Sequence, residues 1–306
     1  MKSALTGIRL MSFGIALTAL SSGASNTWHV DLANVGKTGL DGISRATAYA
    51  DIQSAIEADA TQPGDTILIW PGDYAPEPLT PTENVRCRVL LNKPRLTFRA
   101  AAGKGTVSIV GAHDTTDQAT AHGAGPNAVS CVYGTKDASD TEMDVCFEGI
   151  NFRDGAIYTD TGSNFGGAYY RASGSSASSR TFFVDCMVSN CVCGSGNIAY
   201  ATCHRCEFVD NYAASSGALR GGFLVNCLLH GNAGSAAVQY AHVINCTCIE
   251  SVPAASCTAG QQALFNCVVF GSVAKQMSVT FGIPVWVISP FSGPFQTVKP
   301  PTIRDS

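Results

Sequence analysis

Three groups of side chains in this sequence have the composition of a reactive site. "KDASDTEMD" (136–144) gathers Asp137, Asp140, Glu142 and Asp144 in one short segment. Crowded carboxylates are the hard-oxygen donor set that calcium takes, but the segment lacks the glycine turn and the spacing of a recognised calcium loop. A solvated acidic loop is the simpler reading. "HDTTDQATAH" (113–122) offers His113, Asp114, Asp117 and His122, a mixed imidazole and carboxylate set that suits a transition metal. In the third group Cys191, Cys193, Cys203 and Cys206, with His204 between them, have loosely zinc-like spacing. Disulfides, stacked thiols and a metal site all remain open there, and thirteen cysteines leave at least one unpaired.

The elements that position these residues follow from a repeat. Cys186, Cys206, Cys227, Cys246 and Cys267 recur at intervals of 20, 21, 19 and 21 residues, each closing a short apolar run. A period near twenty marks a solenoid whose single coils cannot bury an apolar face alone. Val188, Phe208, Leu229, Cys248 and Val269 follow two residues later, so each should share its cysteine's inward face. The residue before each cysteine is Asp185, Arg205, Asn226, Asn245 or Asn266. Asn and Asp tolerate the left-handed conformation of a sharp corner, and stacked amides can bond along the axis. Asn226, Asn245 and Asn266 are therefore expected to form a ladder beside a column of buried cysteines.

The pattern resembles the right-handed parallel β-helix of pectate-lyase-like proteins, and within it exported bacterial repeat proteins of the polymorphic outer-membrane and choice-of-anchor kind. "GGAYY" (166–170), "FVDN" (208–211) and, more loosely, "LHGN" (229–232) carry the likeness, as does the head at 28–74. The resemblance implies an all-β, single-stranded, right-handed parallel β-helix with a short N-terminal capping helix. The helix is expected within 48–60, where Ile52, Ala55, Ile56 and Asp59 share a stripe broken only at its end. Strands are expected at "TILIW", "LTFRA", "VSIVG", "VSCVYG" and "VCFEGINF".

Residues 1–24 have the charge, apolar run and small-residue ending of a secretory signal peptide. The solenoid should occupy 25–290, with its cap at about 28–74, and a Pro-rich tail should follow at 291–306. No later apolar run is long enough to span a bilayer, so the mature chain should carry no transmembrane segment. A formal net charge of −4, with no basic run, argues against nucleic acid as a partner. The expected location is secreted, periplasmic, or on the outer membrane or surface of a bacterium.

Enzymes of this superfold place acids and bases on the outside of one sheet. Taking Ile198, Leu219 and Val238 as inward, the outward neighbours are Ala199, Arg220 and Gln239 on one side and Asn197, Ala218 and Ala237 on the other. One cation, two amides and no carboxylate supply neither a calcium cage nor paired acids. The leading expectation is an exported, non-catalytic surface or adhesion module, with polysaccharide as partner and no cofactor. Arg220, Gln239, Tyr170, Tyr200 and Tyr240 are its binding residues. The alternative is a polysaccharide lyase or glycosidase, with Ca2+ held by the acids at 137–144.

Overall fold

The structure, a computed structural model, describes residues 25–82, 85–116, 123–135, 144–157, 166–171, 181–249, 258–259, 263–270 and 286–288. Residues 1–24, Asp117, His122, Asp137, Asp140, Glu142, the loop at 174–180 and the tail at 291–306 lie outside this set.

Three ladders of parallel strands wind through the chain. In the first, Trp28, Ile67, Phe98, Phe147, Phe183, Cys203, Leu224 and Val243 follow one another at the same register. The second runs Tyr74, Ile109, Phe152, Val188, Phe208, Leu229 and Cys248. The third runs Val89, Val132, Tyr169, Ile198, Leu219 and Val238. Each turn of chain adds one strand to each ladder, which is a parallel β-helix, and the crossover rule for parallel strands makes it right-handed. All three columns are buried and, Trp28 apart, form one continuous core. Phe98, Phe147 and Phe183 stack along the first, with ring centroids 5.0 and 5.1 Å apart.

Three corners join the ladders, and left-handed residues mark each. Asp185, Arg205, Asn226, Asn245 and Asn266 form the first; Asp154, Asn190, Asp210 and Gly231 the second; Tyr200, Gly221 and Tyr240 the third. Cys186, Cys206, Cys227, Cys246 and Cys267 are buried just past the first corner. Their stacking in register is plain from the backbone: Glu207, Leu228, Thr247 and Val268 each donate N–H to the carbonyl of the cysteine one coil back, at 2.9–3.0 Å.

The amide ladder differs from expectation. Asn226, Asn245 and Asn266 do occupy consecutive left-handed corners, but their side chains are exposed, and Asn226 meets His204 Nε2 at 3.3 Å. Asn266 donates to Asn245 Oδ1 at 2.9 Å. The buried amides sit instead just past the second corner. Asn211 Nδ2 donates to Val188 O (2.8 Å) and Asn232 Oδ1 (2.9 Å), and Asn232 Nδ2 donates to Phe208 O (2.8 Å). The physical reason is direction: the left-handed residue points its side chain out of the coil, and the next residue points in.

That geometry also explains the thiols. The twelve described cysteines are free. Cys186, Cys206 and Cys227 each donate S–H to the inner-column carbonyl one coil back, of Phe147, Phe183 and Cys203, at 3.3–3.4 Å. Cys191 does the same at the second corner toward Phe152 O (3.7 Å), where the next coils use Asn211 and Asn232. Side chains stacked in parallel keep their Cβ atoms near the strand spacing of ~4.8 Å, whereas a disulfide wants about 3.8 Å. The column therefore stays as thiols although the composition allows bonding.

The head also departs in detail. The helix is short, Ile52–Glu57, capped by Asp51 accepting from Ser54 N, with Ile52, Ala55 and Ile56 buried and Asp59 exposed beyond its end. Its buried face joins the core and packs against the first strand, Thr27–Val30, as well as Thr66–Ile69 and Val85–Leu91. The open edge of Thr27–Val30 is closed by backbone: His29 N donates to Gly42 O, Tyr49 N to His29 O and Asp31 N to Tyr49 O. An antiparallel strand, Leu79–Thr82, covers the edge of the third ladder at Val85–Leu91. Paired edges cannot template further strands.

Candidate functional site

The third corner is where exposed side chains accumulate. Tyr200 and Tyr240 take φ values of 54° and 55°, and Gly221 between them takes 75°. The two tyrosines are 47% and 50% exposed. Tyr200 leans along the axis, so that a Cβ on Gly221 would lie 2.7 Å from its Cδ1. Only glycine can occupy that coil's corner while the ring stays there. Two residues on, in the first ladder, Phe223 and His242 are outward and exposed, their rings stacked at 4.9 Å and 20°.

On the other side of the corner, Ala199, Arg220 and Gln239 align outward on the third ladder. The strand around Tyr169 pairs at Ile198, which sets Tyr170 beside Ala199 in the preceding coil. The Arg220 guanidinium lies over Tyr240, 5.4 Å from its ring centroid, and donates to Ser195 Oγ at 2.5 Å. Ser215 Oγ lies 2.5 Å from the same oxygen. Gln239 Oε1 is buried and has no hydrogen-bond partner.

A fourth, short ladder of Val192, Tyr212 and Ala233 runs beside this stripe. Cys193 and Ala213 face the third ladder from it and join Tyr133, Ile157, Val85 and Cys87 in a second apolar cluster. Tyr170 packs into that cluster, 5.4 Å from Tyr133, and burial raises its phenol above the ordinary range. Arg220, Gln239, Tyr200 and Tyr240 therefore converge on one surface, while Tyr170 lies at its buried end.

The positions one residue before Ile198, Leu219 and Val238 are not outward. Ala218 and Ala237 belong to the main core, and Asn197 is fully buried, donating to Cys191 O, Tyr212 O and Gly217 O at 2.7–3.0 Å. The chain turns inward here from the side ladder, so the period-two alternation fails. Phe223, His242, Ser195 and Ser215 were missed. Phe223 and His242 stand at a constant offset of two from the left-handed residue, which is the signal that finds them.

Of the other candidate groups, the described members make structural contacts. Asp114, buried, accepts from Thr116 N, Thr116 Oγ and Asn127 N at 2.6–2.9 Å and so closes a loop, while His113 Nε2 lies 2.8 Å from Asn190 O. Asp144 is buried just before the strand Val145–Glu148. In the "CHRC" coil Arg205 grips Asp185 at 2.5 Å, holding that carboxyl below its ordinary range. His204 Nδ1 takes the same guanidinium at 2.7 Å, and burial followed by the Arg205 charge lowers its pKa. Among the described residues no three His, Cys, Asp or Glu side chains converge as a metal site. Nor is any helix among them long and apolar enough to cross a membrane.

No protein-family description and no curated protein matches this sequence. Several solved structures are similar in shape. A rhamnogalacturonan lyase aligns over 87% of this chain and 62% of its own length, at 14% identity and a TM-score of 0.41. A pectin methylesterase from Erwinia chrysanthemi covers 86% of this chain and 93% of its own, at 12% identity and a TM-score of 0.36. One from carrot covers 88% and 90%, at 12% and 0.38. The chain thus spans less than two thirds of the lyase's length. The β-helix architecture itself rests on the strand register described above.

Proposed function

We propose that this chain is an exported β-helix module that binds saccharide without turning it over, on the face around its third corner. The observation that carries the reading is backbone strain. A left-handed L-residue costs about 1–2 kcal/mol that glycine avoids, and Gly221 does the same turn between two tyrosines held there. Strain kept for exposed side chains is explained by what those side chains touch. Tyrosine offers a rigid apolar face and a polar tip, which suits the C–H faces and rim hydroxyls of a pyranose. Beside it lie a guanidinium, two serine hydroxyls and the Gln239 acceptor, the few polar groups that fix a ligand's orientation. In coils 197–240 the outward positions of the third ladder and its corner hold no carboxylate, so paired-acid hydrolysis has no parts on this face.

The test pairs a glycan array with an ultraviolet assay for unsaturated products. Saturable binding without product, lost in a Tyr200→Gly/Tyr240→Gly double variant whose melting temperature is equal or higher, supports the reading. Product formation overturns it. So does a double variant that melts lower but binds unchanged, since the tyrosines would then be packing residues.

A further inference from the structure

We infer that the ligand of this face is an uncharged pyranose chain, and not a polyuronate or a sulfated glycan. This rests on the saccharide reading and specifies its substrate class. The surface spans three coils. Its outward side chains are Tyr200, Thr202 and His204; Arg220, Phe223 and Val225; and Gln239, Tyr240, His242 and Ile244. No acid stands among them, and Arg220 is their one permanent charge.

Three physical arguments converge. The first is stoichiometry. A polyuronate carries a carboxylate on every sugar, so a chain lying across three coils would bring several anions to one guanidinium. That guanidinium is already turned onto Ser195 and the face of Tyr240. Carboxylates removed from water without partners are costly, and calcium cannot bridge them because it needs several oxygen ligands that this surface lacks.

The second is the sign of the aromatic field. Ring faces are negative at their centres, so they attract C–H groups and cations and disfavour anions. The third is the Gln239 amide. Its carbonyl oxygen is buried and lacks a donor. An ionised carboxylate or sulfate cannot supply that donor, so the glycan must meet the amide with a hydroxyl and gains nothing there from its charge.

The experiment measures binding of the full chain to matched glycans: neutral glucans, galactans, mannans and N-acetylglucosamine oligomers against polygalacturonate, alginate and sulfated galactan. Each is run at ~50 and ~500 mM salt, where screening separates ionic from neutral contacts. The expected result is binding to one or more neutral oligomers, changing less than about twofold with salt and falling about tenfold or more in Tyr240→Gly, a loss of about 1.4 kcal/mol. Binding confined to acidic glycans, weakened by salt and lost in Arg220→Gln, would overturn the charge inference and leave the saccharide reading standing. Equal binding to both classes also overturns it. Binding to no glycan of either class overturns the saccharide reading itself.

Discussion

Replacing Asn211 with alanine should destabilise the coil far more than replacing Asn245, although both are corner asparagines. Asn211 is fully buried and holds two backbone groups: its Nδ2 donates to Val188 O at 2.8 Å, and its Oδ1 accepts from Cys191 N at 3.0 Å. Alanine leaves the buried Cys191 N–H without a partner, at about 1–3 kcal/mol, strips Val188 O of its second donor beside the ladder bond, and adds a small void. The sum is about 3–5 kcal/mol, on the order of 10 °C in melting temperature. Asn245 is exposed, and its side chain loses one solvated bond to Asn266. With the mild penalty of left-handed alanine, about 1 kcal/mol is expected. Asn211→Cys is the informative third variant. Cys191 holds the equivalent place one coil earlier and donates to Phe152 O, so the thiol should recover part of the loss. Thermal melts followed by far-ultraviolet circular dichroism measure all three. Equal losses for Asn211→Ala and Asn245→Ala, or an Asn211→Cys as unstable as alanine, would refute the donor argument.

Other consequences follow from the same geometry. Gly221→Ala should lower the melting temperature and weaken saccharide binding together, because its Cβ collides with the Tyr200 ring; a loss of stability with unchanged affinity would separate the corner from the site. Arg205→Asn, restoring the residue used in the next coils, should change stability by less than about 1 kcal/mol in urea denaturation, since the Asp185 pair it breaks is exposed. Burial pushes the thiols of Cys87, Cys146 and Cys193 up to about 12. Their folded pKa lies above the unfolded value of about 8.5, so their stabilisation is complete below pH ~8.5. It falls as pH climbs toward 12, by about 1.4 kcal/mol per unit for each thiol. Stability curves at pH 7, 9 and 10 test the sign; a flat profile would contradict it.

Much of this architecture was legible because the solenoid repeats its instructions. The cysteine period located five corners, and the +2 apolar residues located the second ladder, since a strand's alternation leaves little freedom once one inward residue is known. What escaped was any position where the pattern is kept by different residue types. The buried amide column lies five residues after the cysteines, but Cys191 stands there in one coil and Asn211 and Asn232 in the next two. Both types serve as one donor, and a reading by identity could not align them. Cysteine number and compartment left disulfides, stacked thiols and a metal site open; parallel Cβ vectors decide for stacked thiols among the described cysteines. Of the proposed binding residues, strand phase placed Arg220 and Gln239 outward and aromatic character singled out Tyr200 and Tyr240, whereas Phe223 and His242 lie on the first ladder, whose outer face carries no repeat of residue type to mark it.

The three corners divide their labour in a way that places the site. At the first and second, the residue after the turn must donate to a carbonyl one coil back, so Cys and Asn are held there by the backbone's needs. At the third, the residues after the turn are Ala201, Gly222 and Ala241, which donate nothing from their side chains. That corner is free of the constraint, and among the described residues it alone carries left-handed tyrosines. Exchanging the first corner's Asn245 for tyrosine should therefore cost about 1 kcal/mol and create no binding. Transferring Tyr200's role one coil on, by Gly221→Tyr with Tyr200→Gly to clear the space, should retain binding. If that double variant folds with an unchanged melt and fails to bind, position along the axis matters as much as the corner, and Arg220 and Gln239 fix the ligand's register.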